Sequence, residues 1–80
     1  MDSLKLIVLS PEGVKLEENA SSVSLLAPDG RFGVREGCLP IKAVLAGGDI
    51  RYTKNGKENT FNIPGGIAEI KDNTITVLVG

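Results

Sequence analysis

With 80 residues the chain has room for one domain, and a chain of that length buries only about 60–65% of its unfolded surface, so the core is small. A hydrophobic share of 41% excludes a disordered chain, and a net charge of −1 with nine scattered Lys and Arg gives no bulk basicity for nucleic acid or anionic lipid. Three aromatics, Phe32, Tyr52 and Phe61, are too few for a base-stacking platform.

In chain order the pattern is almost entirely β. Leu4 to Leu9 is apolar and β-branched, and it stops at the turn cluster Ser10-Pro11-Glu12-Gly13. The run is far too short to cross a bilayer, so any membrane association is expected to come through a partner. Val14 and Leu16 then alternate with Lys15 and Glu17. Val23, Leu25 and Ala27 alternate with Ser22 and Ser24 up to Pro28-Asp29-Gly30, another turn signal.

Phe32 to Pro40, "FGVREGCLP", is irregular, with two glycines, a lone cysteine and a proline. Gly33 and Gly37 permit positive φ or close approach by a partner. Equally, they suit an ordinary bulge or corner. One cysteine cannot make an internal disulfide, which points to a reducing compartment. Ile41 to Ala46 reads as a short strand closed by Gly47-Gly48.

Two hairpins follow. In "DIRYTKNGKENTFNI" the dipeptide Asn55-Gly56 is a two-residue turn in which both positions take positive φ. That register sets Ile50 opposite Phe61 and puts Ile50, Tyr52, Phe61 and Ile63 on one face. Tyr52 and Phe61 are therefore expected to be at least half buried. The register also sets Lys54 against Lys57, which leaves a longer loop open. In "IAEIKDNTITVLV" the turn is Asp72-Asn73, with Ala68, Ile70, Ile75 and Val77 on one face and Glu69, Lys71, Thr74 and Thr76 on the other. Pro64-Gly65-Gly66 separates the hairpins. The expectation is an all-β chain: a small antiparallel β-sandwich of about 8–10 short strands, with almost no helix.

The chemistry of catalysis is missing from this inventory. There is no histidine, the commonest general base and metal ligand. A lone cysteine builds no zinc site. The glycines of "GRFGVREG" match neither the dinucleotide fingerprint nor the phosphate loop. The ten carboxylates fall mostly on strand faces and in turns, as solvated charges do. No catalytic, metal or cofactor residue is assigned, and an interaction or structural module is the default. A small hydrolase using paired carboxylates is the remote alternative.

Three stretches carry a resemblance: "SPEG", "APDGRFGVREGCLPIKAVLAGGDIRY" and "IPGGIAEIKDNTITVLV". In order and spacing they resemble the epsilon subunit of the rotary F-type ATP synthase, over essentially the whole chain. The resemblance implies a non-catalytic β-sandwich in the rotor's central stalk. Such a head binds the coiled-coil gamma subunit and rests on the c-ring. Through these it serves the alpha–beta hexamer, coupling proton or sodium flow to ATP synthesis. It implies a position peripheral to the energy-coupling membrane, on the cytoplasmic face in a bacterium or the stromal face in a plastid. No cofactor and no nucleic acid are implied.

By the same resemblance, Ser10, Gly37, Cys38, Leu39 and Pro40 are expected to meet gamma. Asp29, Gly30, Arg31 and Phe32 are expected to meet the c-ring. Cys38 stands where the family carries histidine, and it is either an interface residue or a small buried hydrophobe. Arg31 departs from the family's acidic loop, and core packing is the competing reading of Phe32. Residues 1–80 are expected to form one epsilon-type domain without the family's C-terminal helical hairpin. The 80-residue chain is then expected neither to inhibit ATP hydrolysis nor to bind ATP. A free-standing β-sandwich interaction module is the alternative reading.

Overall fold

The structure is a computed structural model that describes residues 2–80. Among the described residues nine strands form: β1 Leu4–Ser10, β2 Gly13–Ala20, β3 Ser22–Ala27, β4 Gly30–Val34, β5 Ile41–Leu45, β6 Gly48–Lys54, β7 Lys57–Ile63, β8 Gly66–Lys71 and β9 Thr74–Leu78. They make a five-stranded sheet, β2-β1-β9-β8-β5, and a four-stranded sheet, β4-β3-β6-β7. The chain lays the β1–β2 hairpin in the first sheet and β3–β4 in the second, sends β5 back alone to the first, then lays β6–β7 in the second and β8–β9 in the first. The expected all-β sandwich is what forms.

Both inferred turns are present. Asn55 and Gly56 have φ of 51° and 76°, and Asp72 and Asn73 have 51° and 60°. Asparagine and aspartate tolerate this left-handed region because their short side chains bond locally. Ile50 faces Phe61, and Lys54 does face Lys57, so the loop is two residues long. A like-charge cross-strand pair is unfavourable by itself. Here Lys54 turns its ammonium to Glu18 on β2, in the other sheet.

Alternation decides which side chains enter the core. Leu4, Leu6 and Val8 of β1, Ala68 and Ile70 of β8, and Ile75 and Val77 of β9 are at most 1% exposed. They face Val23, Leu25, Val34, Ile50, Tyr52 and Ile63 of the other sheet in one cluster. Tyr52 is buried, and Phe61 packs partly buried against the cluster. Burying one such aliphatic side chain stabilises the fold by about 1.5–3 kcal/mol.

Three details lie outside local pattern. The first and last strands pair in parallel, Lys5 to Leu9 against Thr74 to Leu78, which no hairpin could join. Between Val8 and Leu9 the β1–β2 register shifts, leaving Lys15 as an extra residue in a bulge. At Gly66 a Cβ would lie 2.1 Å from the carbonyl oxygen of Leu78, so only glycine lets β9 pass so close.

The strand directions give the sandwich two ends. One end carries the Ser10–Gly13 and Ala27–Gly30 turns, and the Ala46 N–H donates to the Leu26 carbonyl there, at 2.8 Å. The other end carries Ser21, whose N–H donates to the Thr53 carbonyl at 2.8 Å, together with the Asn55-Gly56 and Asp72-Asn73 turns and the segment 35–40.

Candidate partner-docking surfaces

Ser10 closes β1 and is occupied with its own turn. Its Oγ accepts from the Glu12 N–H at 3.2 Å and donates to the Gly13 carbonyl at 3.4 Å. Gly37, Cys38, Leu39 and Pro40 sit at the opposite end. There the Gly37 N–H donates to Asn73 Oδ1 at 2.9 Å, and the Cys38 N–H donates to the Arg35 carbonyl at 3.2 Å. Ser3 Oγ donates to Glu36 Oε1 at 3.0 Å, pinning the segment to the start of β1. Gly37 takes φ of 84°, which a side chain would strain. So the structure does not bring Ser10 together with 37–40. A seven-residue strand, roughly 20 Å long, separates them.

Cys38 is partly buried against the core, while Leu39 beside it is 78% exposed. Partial burial fits the reading of Cys38 as a small hydrophobe, and the exposed side chain of this pair is Leu39. The thiol packs inward and the leucine is presented to solvent.

The other set of residues divides. Asp29 is exposed in the β3–β4 turn, and Gly30 follows at the start of β4. Arg31 and Phe32 are strand residues, not loop residues. Arg31 Nη1 donates to the carbonyls of Ser24 at 3.3 Å and Asp49 at 3.0 Å, so the guanidinium lies back across β3 and β6. Phe32 pairs with Leu25 on the inner face and packs against the core. Asp29 is therefore the side chain of this set that points freely outward. It lies at the same end as Ser10.

One surface was missed by reading the sequence for alternation. On the outer face of the five-stranded sheet, Val44, Ile67, Leu78, Leu9 and Val14 stand side by side, one per strand from β5 to β2. Val44, Ile67, Leu78 and Val14 are 64%, 50%, 51% and 58% exposed. The adjacent row is Lys42, Glu69, Thr76, Ile7 and Glu17, largely polar and with a Lys42–Glu69 ion pair. A continuous apolar row across a whole sheet is the kind of exposed patch that marks an interaction site. Its signal in the sequence is an apolar residue at a position that alternation assigns to water. Leu9, Val44, Ile67 and Leu78 all fit that description.

Among the described residues no group of His, Cys, Asp and Glu could hold a metal ion. Among the same residues no helix is long and apolar enough to cross a membrane.

Residues 3–80 match the family described as ATP synthase, Delta/Epsilon chain, beta-sandwich domain. The ATP synthase epsilon chain of Nitratidesulfovibrio vulgaris strain DP4 is 37% identical over 76 residues, covering 95% of this chain and 57% of that one. That of Desulfitobacterium hafniense strain DSM 10664 / DCB-2 is 40% identical over 71 residues, covering 89% and 54%. The chain thus spans a little over half the length of these curated relatives. Its fold matches a chain of the Euglena gracilis mitochondrial ATP synthase with a TM-score of 0.87 at 21% identity, covering 99% of this chain and 51% of that one. A chain of the Tetrahymena thermophila mitochondrial ATP synthase central stalk and c-ring matches with a TM-score of 0.76 at 15% identity, covering 96% and 63%.

Proposed function

The chain belongs to the ATP synthase delta/epsilon β-sandwich family, and on that premise we propose that it works as a non-catalytic rotor element of an F-type ATP synthase. In this reading it binds the gamma subunit and the c-ring, and helps couple proton or sodium flow to ATP synthesis in the alpha–beta hexamer. It would sit peripheral to the energy-coupling membrane through these partners, on the cytoplasmic face in a bacterium or the stromal face in a plastid.

The observation that carries the reading is the apolar row Leu9, Val14, Val44, Ile67 and Leu78. An isolated domain gains nothing by exposing it, whereas a permanent subunit contact would remove it from water. A partner spanning the outer face of the five-stranded sheet from the end of β1 to the start of β5 could touch both Ser10 and the Cys38–Pro40 segment, which lie at opposite ends of the sandwich. Asp29 and Gly30, at the Ser10 end, are the proposed contacts with the ring. Arg31 and Phe32 would support that turn, Arg31 by bonding the strands behind it and Phe32 by packing.

The test is capture from native membranes with the tagged chain, followed by identification of the co-purifying subunits. Recovery of gamma, and its loss in the double variant Ile67→Ser, Leu78→Ser, is the expected result. Capture without gamma would refute the rotor reading and favour a free-standing interaction module.

A further inference from the structure

The outer face of the four-stranded sheet differs in chemistry from the apolar row. Alternation sends Ser22 and Ser24 of β3, Gly33 of β4, and Arg51 and Thr53 of β6 to that face. Arg35 follows β4 directly. Together they line an open groove of about 260 Å³, with Glu58 of β7 at its side. Gly33 contributes no side chain, and a Cβ added there would meet nothing within 4 Å. The groove's floor is therefore backbone and hydroxyl groups, and Arg35 and Arg51 are its cationic lining residues.

Its hydrogen-bonding balance is one-sided. The ion pairs among the described residues are Lys5–Glu17, Lys15–Glu12, Lys42–Glu69 and Lys54–Glu18, so neither Arg35 nor Arg51 has a carboxylate partner. Arg31 Nη1 lies 3.4 Å from Ser24 Oγ and donates to it, so that hydroxyl keeps its own hydrogen to give. Two guanidiniums and three hydroxyls face one carboxylate. Two guanidiniums without a carboxylate partner and three hydroxyls able to donate suit a ligand that accepts, and planar guanidiniums suit an oxyanion that can be gripped by two bonds. Val23 and Val34, the apolar residues of the lining, are buried in the core, so they form no slot for a nucleobase and the recognised unit is the oxyanion itself.

We propose that this groove binds a phosphoryl group, with Arg35 and Arg51 as its charged ligands and Ser22, Ser24 and Thr53 as its hydroxyl donors. The group could arrive on a free soluble phosphate or on a lipid headgroup.

Amide-resolved NMR of the 80-residue chain tests this with inorganic phosphate and pyrophosphate, against sodium chloride at matched ionic strength. The expected response is a saturable shift at Ser24, Gly33, Arg51 and Thr53 that chloride does not reproduce. Arg51→Gln and Arg35→Gln should each weaken binding about fivefold or more. Glu58→Gln should tighten it, because a like charge is removed. Gly33→Val keeps every charge and should abolish the response by filling the floor. Sedimentation with phosphatidylglycerol vesicles separates the sources: a response confined to vesicles assigns the site to a headgroup. Shifts equal to those in chloride without Arg51-dependent vesicle binding, or binding indifferent to Arg51→Gln and Gly33→Val together, would overturn the proposal. A response to polyglutamate but to neither phosphate nor vesicles would overturn it in favour of an acidic protein partner.

Discussion

Lys54 on β6 and Glu18 on β2 form an ion pair between residues on different sheets, 36 positions apart in the chain. It resolves a conflict visible in the sequence. The Asn55-Gly56 hairpin forces Lys54 opposite Lys57, and the other sheet supplies the compensating charge. The hydrogen bond to Glu18 and its negative charge raise the Lys54 pKa above that of an ordinary lysine. A folded-state pKa raised above the unfolded value stabilises fully below the unfolded value, and the gain is lost as pH rises through the folded one. Stability should therefore decline above about pH 10.5 more steeply for the wild type than for Lys54→Met. Urea denaturation across that range checks it, and parallel curves would show that the pair contributes nothing.

Gly66→Ala should be costly although its φ is ordinary. The added Cβ would lie 2.1 Å from the Leu78 carbonyl oxygen, so β8 or the end of β9 must move. A loss of about 2–3 kcal/mol is expected, in the range of overpacking. Gly33→Ala meets open space and should leave the midpoint nearly unchanged. Thermal melts of the two variants side by side decide it.

Depth of burial should order the core substitutions. Leu25 is fully buried, and Leu25→Ala should cost about 3–5 kcal/mol. Phe61 is only partly buried, so Phe61→Ala should fall below the roughly 3–5 kcal/mol that a wholly buried phenylalanine costs. Equal losses in denaturant titrations would mean that Phe61 is packed as tightly as Leu25.

Thiol labelling separates the two faces of the Gly37–Pro40 segment. Cys38 is partly buried, so it should react slowly in the free chain and more slowly still in a gamma complex. A cysteine placed by Leu39→Cys at the exposed neighbour should react fast in the free chain and be strongly protected in the complex. Unchanged rates at both positions on adding gamma would remove this segment from the interface.

Asp29→Lys should lower coupled ATP synthesis in reconstituted vesicles more than it lowers gamma binding, because the turn lies at the end of the sandwich. Exposed single charges are worth about 1 kcal/mol or less, so the effect on coupling should be partial. Unchanged coupling would place the ring contact elsewhere.

The sequence by itself determined the local elements. Alternation is a two-residue signal and a turn needs two residues of the right conformation. The hairpins at Asn55-Gly56 and Asp72-Asn73, their registers and the core faces of β6 to β9 were therefore all legible. Tertiary structure alone decided which strands became neighbours beyond the hairpins. The parallel β1–β9 pair, the crossing of β5 to the first sheet and the Lys54–Glu18 pair join residues far apart in the chain, and no periodicity encodes such distances. The candidate surfaces divide for the same reason. Asp29 in its turn could be read locally. The apolar row takes one residue from each of five strands, and the arginine groove draws on four, so both exist only once strand order and register have set those residues side by side.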